Sequence, residues 1–259
     1  MLKVLTIAGS DCSGGAGIQA DIKTITVHKQ YAMSVITAVT AQNTTGVYGI
    51  MDVEPEFVAK QIDCVFCDIK PDAVKIGMVS NKDIIEVIAD KLEYYKAKHI
   101  VVDPVMVSTS GNRLLCKEAE ETLKTRLLPI AELITPNIPE ASVLSEIEIS
   151  KREEMEEAGS RLKKWVTGSV LIKGGHSKEQ ADDLLCWNNN INWICGERVA
   201  NPNTHGTGCT LSSAIACNLA EGNNIYESVK KAKEYVTGAL NAKLKLGVGS
   251  GPLNHSYLI

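Results

Sequence analysis

Gly206, Thr207, Gly208 and Cys209 stand immediately before a long apolar run, an order of residue types suited to holding an anion beside a thiol. Glycines let the backbone turn sharply and approach a ligand closely, and the first amides of the helix predicted to follow have no intrahelical acceptor. With the helix dipole behind them, such amides bind phosphate. Cys209 falls at the start of that helix, where the same field is expected to lower a thiol pKa. The segment by itself fits equally a loop that caps a buried helix and carries an incidental cysteine.

Other useful residue types follow the strand-like runs: Gly9 and Asp11, Gln42 and Asn43, Gly77 and Met78, Asp103 to Val105, Asn137 and Glu140, and Lys173 to Gly175. In open α/β sheets ligands lie beyond the carboxyl ends of the strands, so these residues are expected to converge on one rim. Together they supply acids, amides, a lysine and two glycine-rich turns, the parts needed to hold a nucleotide, a metal and a small heteroaromatic substrate. No G-x-x-x-x-G-K-[ST] occurs, which excludes a P-loop enzyme, yet phosphoryl transfer needs only positioning, a metal and charge stabilisation.

The elements that must position these residues alternate. Strands are expected at residues 3–8, 34–41, 73–77, 99–103, 132–135 and 169–173, and helices at 18–28, 56–69, 81–95, 117–128 and 150–165. Ser150 and Glu153 have the form of a capping box for the last of these. Two strand-like runs, 184–187 and 191–195, flank an asparagine-rich turn and predict a hairpin at one edge of the sheet. A long helix is expected at about 225–246. Repeated β-α units predict a mostly parallel sheet covered by helices on both faces, in one domain of 259 residues with no linker or repeat to divide it.

With 44% hydrophobic residues and a net charge of −4, the chain can bury a large core but lacks the basic face of a nucleic-acid binder. No stretch is long and apolar enough for a membrane span, and residues 1–8 do not read as a signal peptide, so no membrane partner and a cytoplasmic location are expected. The eight cysteines lie inside predicted elements of a large domain and are expected to be reduced. Cys64 and Cys67 have the spacing of half a zinc site; without a second pair they are expected to be core residues. Residues 15–20 match a dinucleotide fingerprint in letters, but too late after the strand and with no ribose-binding acid, so an oxidoreductase is rejected.

Residues 8–21 (AGSDCSGGAGIQAD) and 34–44 (SVITAVTAQNT) resemble the hydroxymethylpyrimidine/phosphomethylpyrimidine kinases of thiamine biosynthesis, members of the ribokinase superfamily. The resemblance continues through residues 75–78 (KIGM), 102–106 (VDPVM), 135–141 (TPNIPEA), 171–176 (LIKGGH) and 204–213, in order along essentially the whole chain. It implies a three-layer α/β/α ribokinase-like fold. It also implies use of ATP with Mg²⁺ to phosphorylate 4-amino-5-hydroxymethyl-2-methylpyrimidine and then its monophosphate. A homodimer or higher homo-oligomer is the expected assembly.

Carried over residue by residue, the resemblance implies a pyrimidine pocket of Gly9, Asp21, Gln42, Met78 and Val105, with Gln42 pairing with a ring edge and Met78 and Val105 packing on its faces. Asn137, Lys173 and Thr207 would meet ATP. Glu140 would serve the metal through water, and Asp103 would support the metal region or the loop. Cys209 would accept the substrate hydroxyl proton while the amides of Gly206, Gly208 and Cys209 hold the transferring phosphoryl group. Cys12 stands where serine or proline is more usual.

The rival readings are a pyridoxal or pyridoxine kinase, whose substrate also carries a hydroxymethyl group, a thiol hydrolase with Cys209 as nucleophile, and a non-catalytic vitamin-binding protein. The hydrolase needs an oriented base, and no aspartate or asparagine partner for His205 is evident in the sequence.

Overall fold

The computed structural model describes residues 1–106, 117–175, 181–188 and 190–259. In chain order the elements are β1 (Lys3–Asp11), α1 (Gly17–Val27), β2 (Tyr31–Asn43), β3 (Gly46–Asp52), α2 (Pro55–Asp68), β4 (Ala73–Ile76), α3 (Lys82–Tyr94) and β5 (Ile100–Val102). They continue with α4 (Lys117–Thr122), β6 (Leu133–Ile134), α5 (Ile138–Ser145), α6 (Arg152–Leu162), β7 (Ser169–Ile172), β8 (Asp183–Trp187), β9 (Asn190–Ile194), α7 (Thr207–Ala220) and α8 (Ile225–Asn241).

The strands form a nine-stranded sheet in the order β3-β2-β1-β4-β5-β6-β7-β8-β9. It is parallel from β2 to β7 and antiparallel at β3, β8 and β9. Strands β4, β5 and β7 are buried along their whole length, as expected of parallel strands covered on both faces. Their side chains alternate between two cores. Leu5, Ile7, Val74, Ile76, Ile100 and Val102 pack in one cluster with residues of α2, α3 and α6. Val4, Ala73, Val101, Leu133 and Leu171 pack in the other with residues of α1, α7 and α8. The period of two along each strand thus generates the three layers that the sequence predicts.

The ends of elements depart from expectation for local reasons. β3 is an addition to the expected strands: its apolar residues Val47, Tyr48, Ile50 and Met51 are interrupted by Gly49, and most of this edge strand is exposed. The helix expected at 117–128 stops being α-helical after Thr122, widens into a π-turn over Leu123–Leu127 and tightens into a 3₁₀ turn at Leu128–Ile130. Pro129 lies in that last turn and lacks an amide to continue the ladder. The cap of α6 is shifted by one residue: Glu154, not Glu153, accepts from the Ser150 hydroxyl at 2.7 Å and from the Ser150 and Lys151 amides. α8 ends at Asn241, short of 246. Cys64 and Cys67 are exposed on α2, which buries Val58, Ile62 and Phe66 instead, so the expectation of core packing for that pair is corrected.

Beneath the carboxyl ends of the central strands lies a buried polar knot. Lys75 of β4 and Asp21 of α1 are both fully buried, and the Lys75 ammonium donates to both Asp21 oxygens at 2.8 and 3.0 Å. Asp21 also accepts from Thr6 of β1 at 2.5 Å and from Ser213 of α7 at 2.7 Å. One carboxylate therefore joins two strands to two helices. Removing one member of a buried pair strands the other charge, which costs about 3–5 kcal/mol. Lys75→Met is expected to destabilise by that amount in equilibrium urea unfolding, and Asp21→Asn in the same chain is expected to restore at least half of the loss by neutralising the stranded carboxylate.

Candidate active site

Two of the central strands run in from opposite directions of the chain path: β1 is followed by β2 on one side, while β4 pairs on its other side. That reversal is where α/β sheets open a crevice. A cleft of about 1150 Å³ lies there, lined by Gly9, Gln42, Met78, Asp103, Val105, Asn137, Glu140, Lys173, Gly206, Thr207, Gly208 and Cys209 among others. Twelve of the thirteen residues singled out from the sequence are thus brought together.

The exception is Asp21. Instead of lining the pyrimidine pocket it lies wholly inside the knot with Lys75, and its acceptor capacity is taken by Lys75, Thr6 and Ser213. Its contribution to the cleft is made through the elements it ties together.

At one end of the cleft the pairing of β1 with β2 shifts register between Ala8 and Ser10, opening the strand at Gly9. A Cβ on Gly9 would lie 2.6 Å from the Met78 methyl, so only glycine leaves Met78 in place. The Met78 backbone is anchored by its carbonyl, which accepts from the Thr37 hydroxyl at 2.8 Å. The Thr40 hydroxyl lies 2.9 Å from both the Ser10 carbonyl and the Gln42 side-chain amide, which holds that side chain at the cleft wall. The exposed Cys12 thiol donates to the Gln42 carbonyl at 3.1 Å.

At the other end Gly206, with φ of 85°, caps α7 and permits the reversal into the helix. The Gly206 carbonyl accepts from the Thr210 amide at 2.9 Å, and the Thr207 hydroxyl donates to Thr204 at 2.7 Å. The Thr207 amide donates to the Thr204 carbonyl at 3.2 Å, and Gly208 and Cys209, whose amides have no intrahelical acceptor at this helix start, line the cleft. A Cβ on Gly208 would stand 3.1 Å from Asp103 Oδ2 and 3.3 Å from Lys173 Nζ, so the turn rests directly on that ion pair.

Lys173 donates to Asp103 at 2.7 Å, and Thr135 donates to the same carboxylate oxygen at 3.1 Å. Burial by itself would lower the Lys173 pKa, but Asp103 and Glu140 outweigh it and raise it, so the side chain stays cationic. Asn137 and Glu140 form a reciprocal capping box at the start of α5: Glu140 accepts from the Asn137 amide at 2.8 Å and Asn137 from the Glu140 amide at 2.9 Å. The motif is therefore a helix start and a cleft wall at once. Burial, with Asp103 adding to it, pushes the Glu140 carboxyl up to about 7 despite Lys173. Asp103 is paired with Lys173, and a divalent cation beside Glu140 would favour its ionised form. Magnesium is usually held by one or two carboxylates plus substrate phosphates, which Asp103 and Glu140 could supply. Among the described residues no cluster of three or more acids, histidines or cysteines could cage a metal unaided.

The thiol of Cys209 departs from expectation. Burial pushes it up to about 11, and the lowering contributed by the Lys75 ammonium and the Gly17 amide does not offset this, with Asp21 and Asp103 opposing. Desolvation outweighs the helix field.

His205 was not counted among the site residues, yet it lines the cleft and its Nε2 lies 2.8 Å from Asp11 Oδ2. The aspartate partner that seemed missing comes from 194 residues away in sequence. Asp11 is held ionised, its pKa driven far below the usual carboxylate range by His205, Ser13 and the Ala16 amide in spite of burial. An ionised carboxylate accepts only, so Nε2 carries the proton and donates it to Asp11. The Gln42 side-chain amide lies 3.4 Å from the same nitrogen and lines the cleft beside the imidazole. The Cys209 thiol is raised by burial, which does not favour a thiolate nucleophile as a hydrolase would need.

Comparison with known proteins places these features in a family. Residues 11–254 match the family described as phosphomethylpyrimidine kinase. The hydroxymethylpyrimidine/phosphomethylpyrimidine kinase of Escherichia coli is 45% identical over 260 residues, covering 99% of this chain and 98% of that protein. The thiamine biosynthesis bifunctional protein ThiED of Geobacter sulfurreducens is 49% identical over 97% of this chain, which spans 52% of that longer protein. Among solved structures, the ADP complex of Bacillus subtilis pyridoxal kinase superposes with a TM-score of 0.93 at 36% identity, covering 100% of this chain and 98% of that one.

A thiol near 11 is almost wholly protonated at neutral pH. Alkylation of Cys209 by iodoacetamide, followed by peptide mass spectrometry, is expected to quicken by about tenfold per pH unit from 7 to 10. A plateau by pH 8 would instead show a thiol lowered by the helix field.

Proposed function

The chain belongs to the phosphomethylpyrimidine kinase family, and we propose that it transfers the γ-phosphoryl group of ATP to the hydroxymethyl group of 4-amino-5-hydroxymethyl-2-methylpyrimidine, then to the resulting monophosphate, in thiamine biosynthesis. The observation that carries the reading is one cleft lined together by Gly9, Gln42, Met78 and Val105, by a glycine-rich helix start, and by a lysine with two acids beside it.

In this reading the pyrimidine lies between Met78 and Val105 with an edge nitrogen accepting from the Gln42 NH₂. Its hydroxymethyl oxygen points to the start of α7. The amides of Gly206, Gly208 and Cys209 hold the equatorial oxygens of the transferring group, and Lys173, with Asn137 and Thr207, holds the nucleotide phosphates. Magnesium bound with the nucleotide would neutralise phosphate charge, with Glu140 and Asp103 holding its water shell. Cys209 takes the hydroxyl proton. A thiol that high is a weak base at neutral pH, and phosphoryl transfer is loose, so the amides supply the larger share of the rate.

The likeness to a pyridoxal kinase supports a second reading, phosphorylation of pyridoxal or pyridoxine at its hydroxymethyl group. Further parts of the proposal are one domain carrying both ends of the cleft, and a cytoplasmic setting, in keeping with free thiols at all seven described cysteines. No helix among the described residues is long and apolar enough to cross a membrane. A homodimer or higher assembly is supported by exposed Tyr48, Ile50, Met51 and Phe57 along the β3 edge and α2.

Incubation with Mg-ATP and the pyrimidine alcohol is expected to give mono- and diphosphorylated products by mass spectrometry, and parallel steady-state assays are expected to favour the pyrimidine over pyridoxal. Clear preference for pyridoxal would replace the first reading by the second. Lys173→Met is expected to lower kcat by roughly 10²–10³-fold, and Cys209→Ala by about 10²-fold or less. Unchanged turnover in Cys209→Ala would remove the base role and leave the kinase reading intact.

A further inference from the structure

His205 stands where three separate segments meet. Its backbone amide donates to Gly251, its Nε2 donates to Asp11 at the end of β1, and it directly precedes the Gly206 turn. The loop after β1 presses against it so closely that a Cβ on Gly15 would lie 2.4 Å from the imidazole Cδ2. A Cβ on Gly206 would in turn lie 1.9 Å from the Gly15 carbonyl oxygen. The two loops are therefore in direct van der Waals contact, with the imidazole–carboxylate hydrogen bond crossing the seam. Asp11 is 3% exposed at its side chain and His205 13%, so the pair is shielded from solvent.

Asp11 does not need His205 to shape its own loop. Its Oδ1 accepts from the Ser13 amide and hydroxyl at 2.8 and 2.7 Å, and its Oδ2 accepts from the Gly15 and Ala16 amides at 3.1 and 2.8 Å. The bond to His205 is additional to those four, and what it adds is a tie from the loop after β1 to the turn before α7. The acceptor end of the cleft belongs to β1 and β2 through Gly9 and Gln42, while the phosphoryl end belongs to α7. Transfer in line requires the hydroxyl oxygen and phosphorus to approach within about 3–3.5 Å, and a misplacement of about 1 Å costs on the order of 10²-fold in rate.

We propose that the His205–Asp11 pair is a positioning clasp, which sets the separation between the acceptor pocket and the phosphoryl-binding turn and which therefore acts on the transfer step rather than on either binding site alone. The inference rests on the kinase reading above. The imidazole contributes as a hydrogen-bond donor of fixed reach to an ionised carboxylate, and no proton is exchanged with substrate.

The test uses the full chain with Mg-ATP and the pyrimidine alcohol, comparing His205→Leu, His205→Gln and Asp11→Asn by steady-state kinetics, nucleotide titration and thermal unfolding. For His205→Leu the expectation is a fall in kcat of roughly 10²-fold with the Kd for ATP within about threefold of the parent. His205→Gln, which keeps a donor, is expected to recover at least about tenfold of that loss, and Asp11→Asn to reproduce the loss in part. A His205→Leu chain with kcat within about threefold of the parent overturns the clasp. So does a His205→Gln chain no better than His205→Leu, which would make the imidazole a reacting group. A lost thermal transition in His205→Leu together with normal kinetics in Asp11→Asn would assign the pair to stability alone and also overturn it. Failure of the parent chain to phosphorylate either the pyrimidine alcohol or pyridoxal would instead overturn the kinase reading, and the clasp with it.

Discussion

The structure depends on a single desolvated carboxylate. Asp21 is fully buried and is compensated by a fully buried ammonium and two hydroxyls, and these three partners belong to three elements other than its own. An unpaired charge at that depth would be far too costly to retain, so α1, β1, β4 and α7 must all be in register before any one of them is stable there. Ser213 lies one helical turn beyond Cys209, so fixing Ser213 fixes the height of the helix start whose amides face the cleft. The same ammonium moderates the Cys209 thiol from below. Geometry and electrostatics at the mouth of the cleft are thus set by a pair that never touches solvent.

The layered fold was legible because it follows from periodicity that is local in sequence. Val4 and Leu5, or Val101 and Val102, point to opposite cores simply because they are neighbours on a strand. Strand and helix centres were readable on those grounds. What escaped were features decided by partners: β3 exists because β2 offers it an edge, not because its own residues demand a strand, and the turn from α to π to 3₁₀ geometry after Thr122 answers to Pro129 downstream.

The candidate site was legible to a similar depth and failed at the same boundary. Gly206, Gly208 and the Asn137–Glu140 box announce themselves through spacing within a few residues. His205 does not, because its meaning lies in Asp11, and no spacing rule reaches across 194 positions. Asp21 was misplaced for the complementary reason: its motif lies beside the cleft in sequence, while Lys75, supplied by another strand, draws it below the cleft floor. For Cys209 the sign of the pKa shift was the open matter. A helix start favours thiolate, but burial disfavours it, and only the depth of the surrounding protein decides which prevails.

Gly208 shows how closely the remaining parts are coupled. Its lack of a side chain reads first as freedom for the turn, yet its backbone is helical and needs no unusual φ. What glycine provides is proximity: the space a Cβ would fill is bounded by Asp103 on one side and Lys173 on the other. A methyl group there would press on both the Asp103 carboxylate and the Lys173 ammonium. It would also crowd the carboxylate whose charge, together with burial, holds the neighbouring Glu140 near 7. The amide turn and the charged centre therefore act as one surface, with attractive and repulsive charges balanced around a space that an anion accompanied by a divalent cation would satisfy.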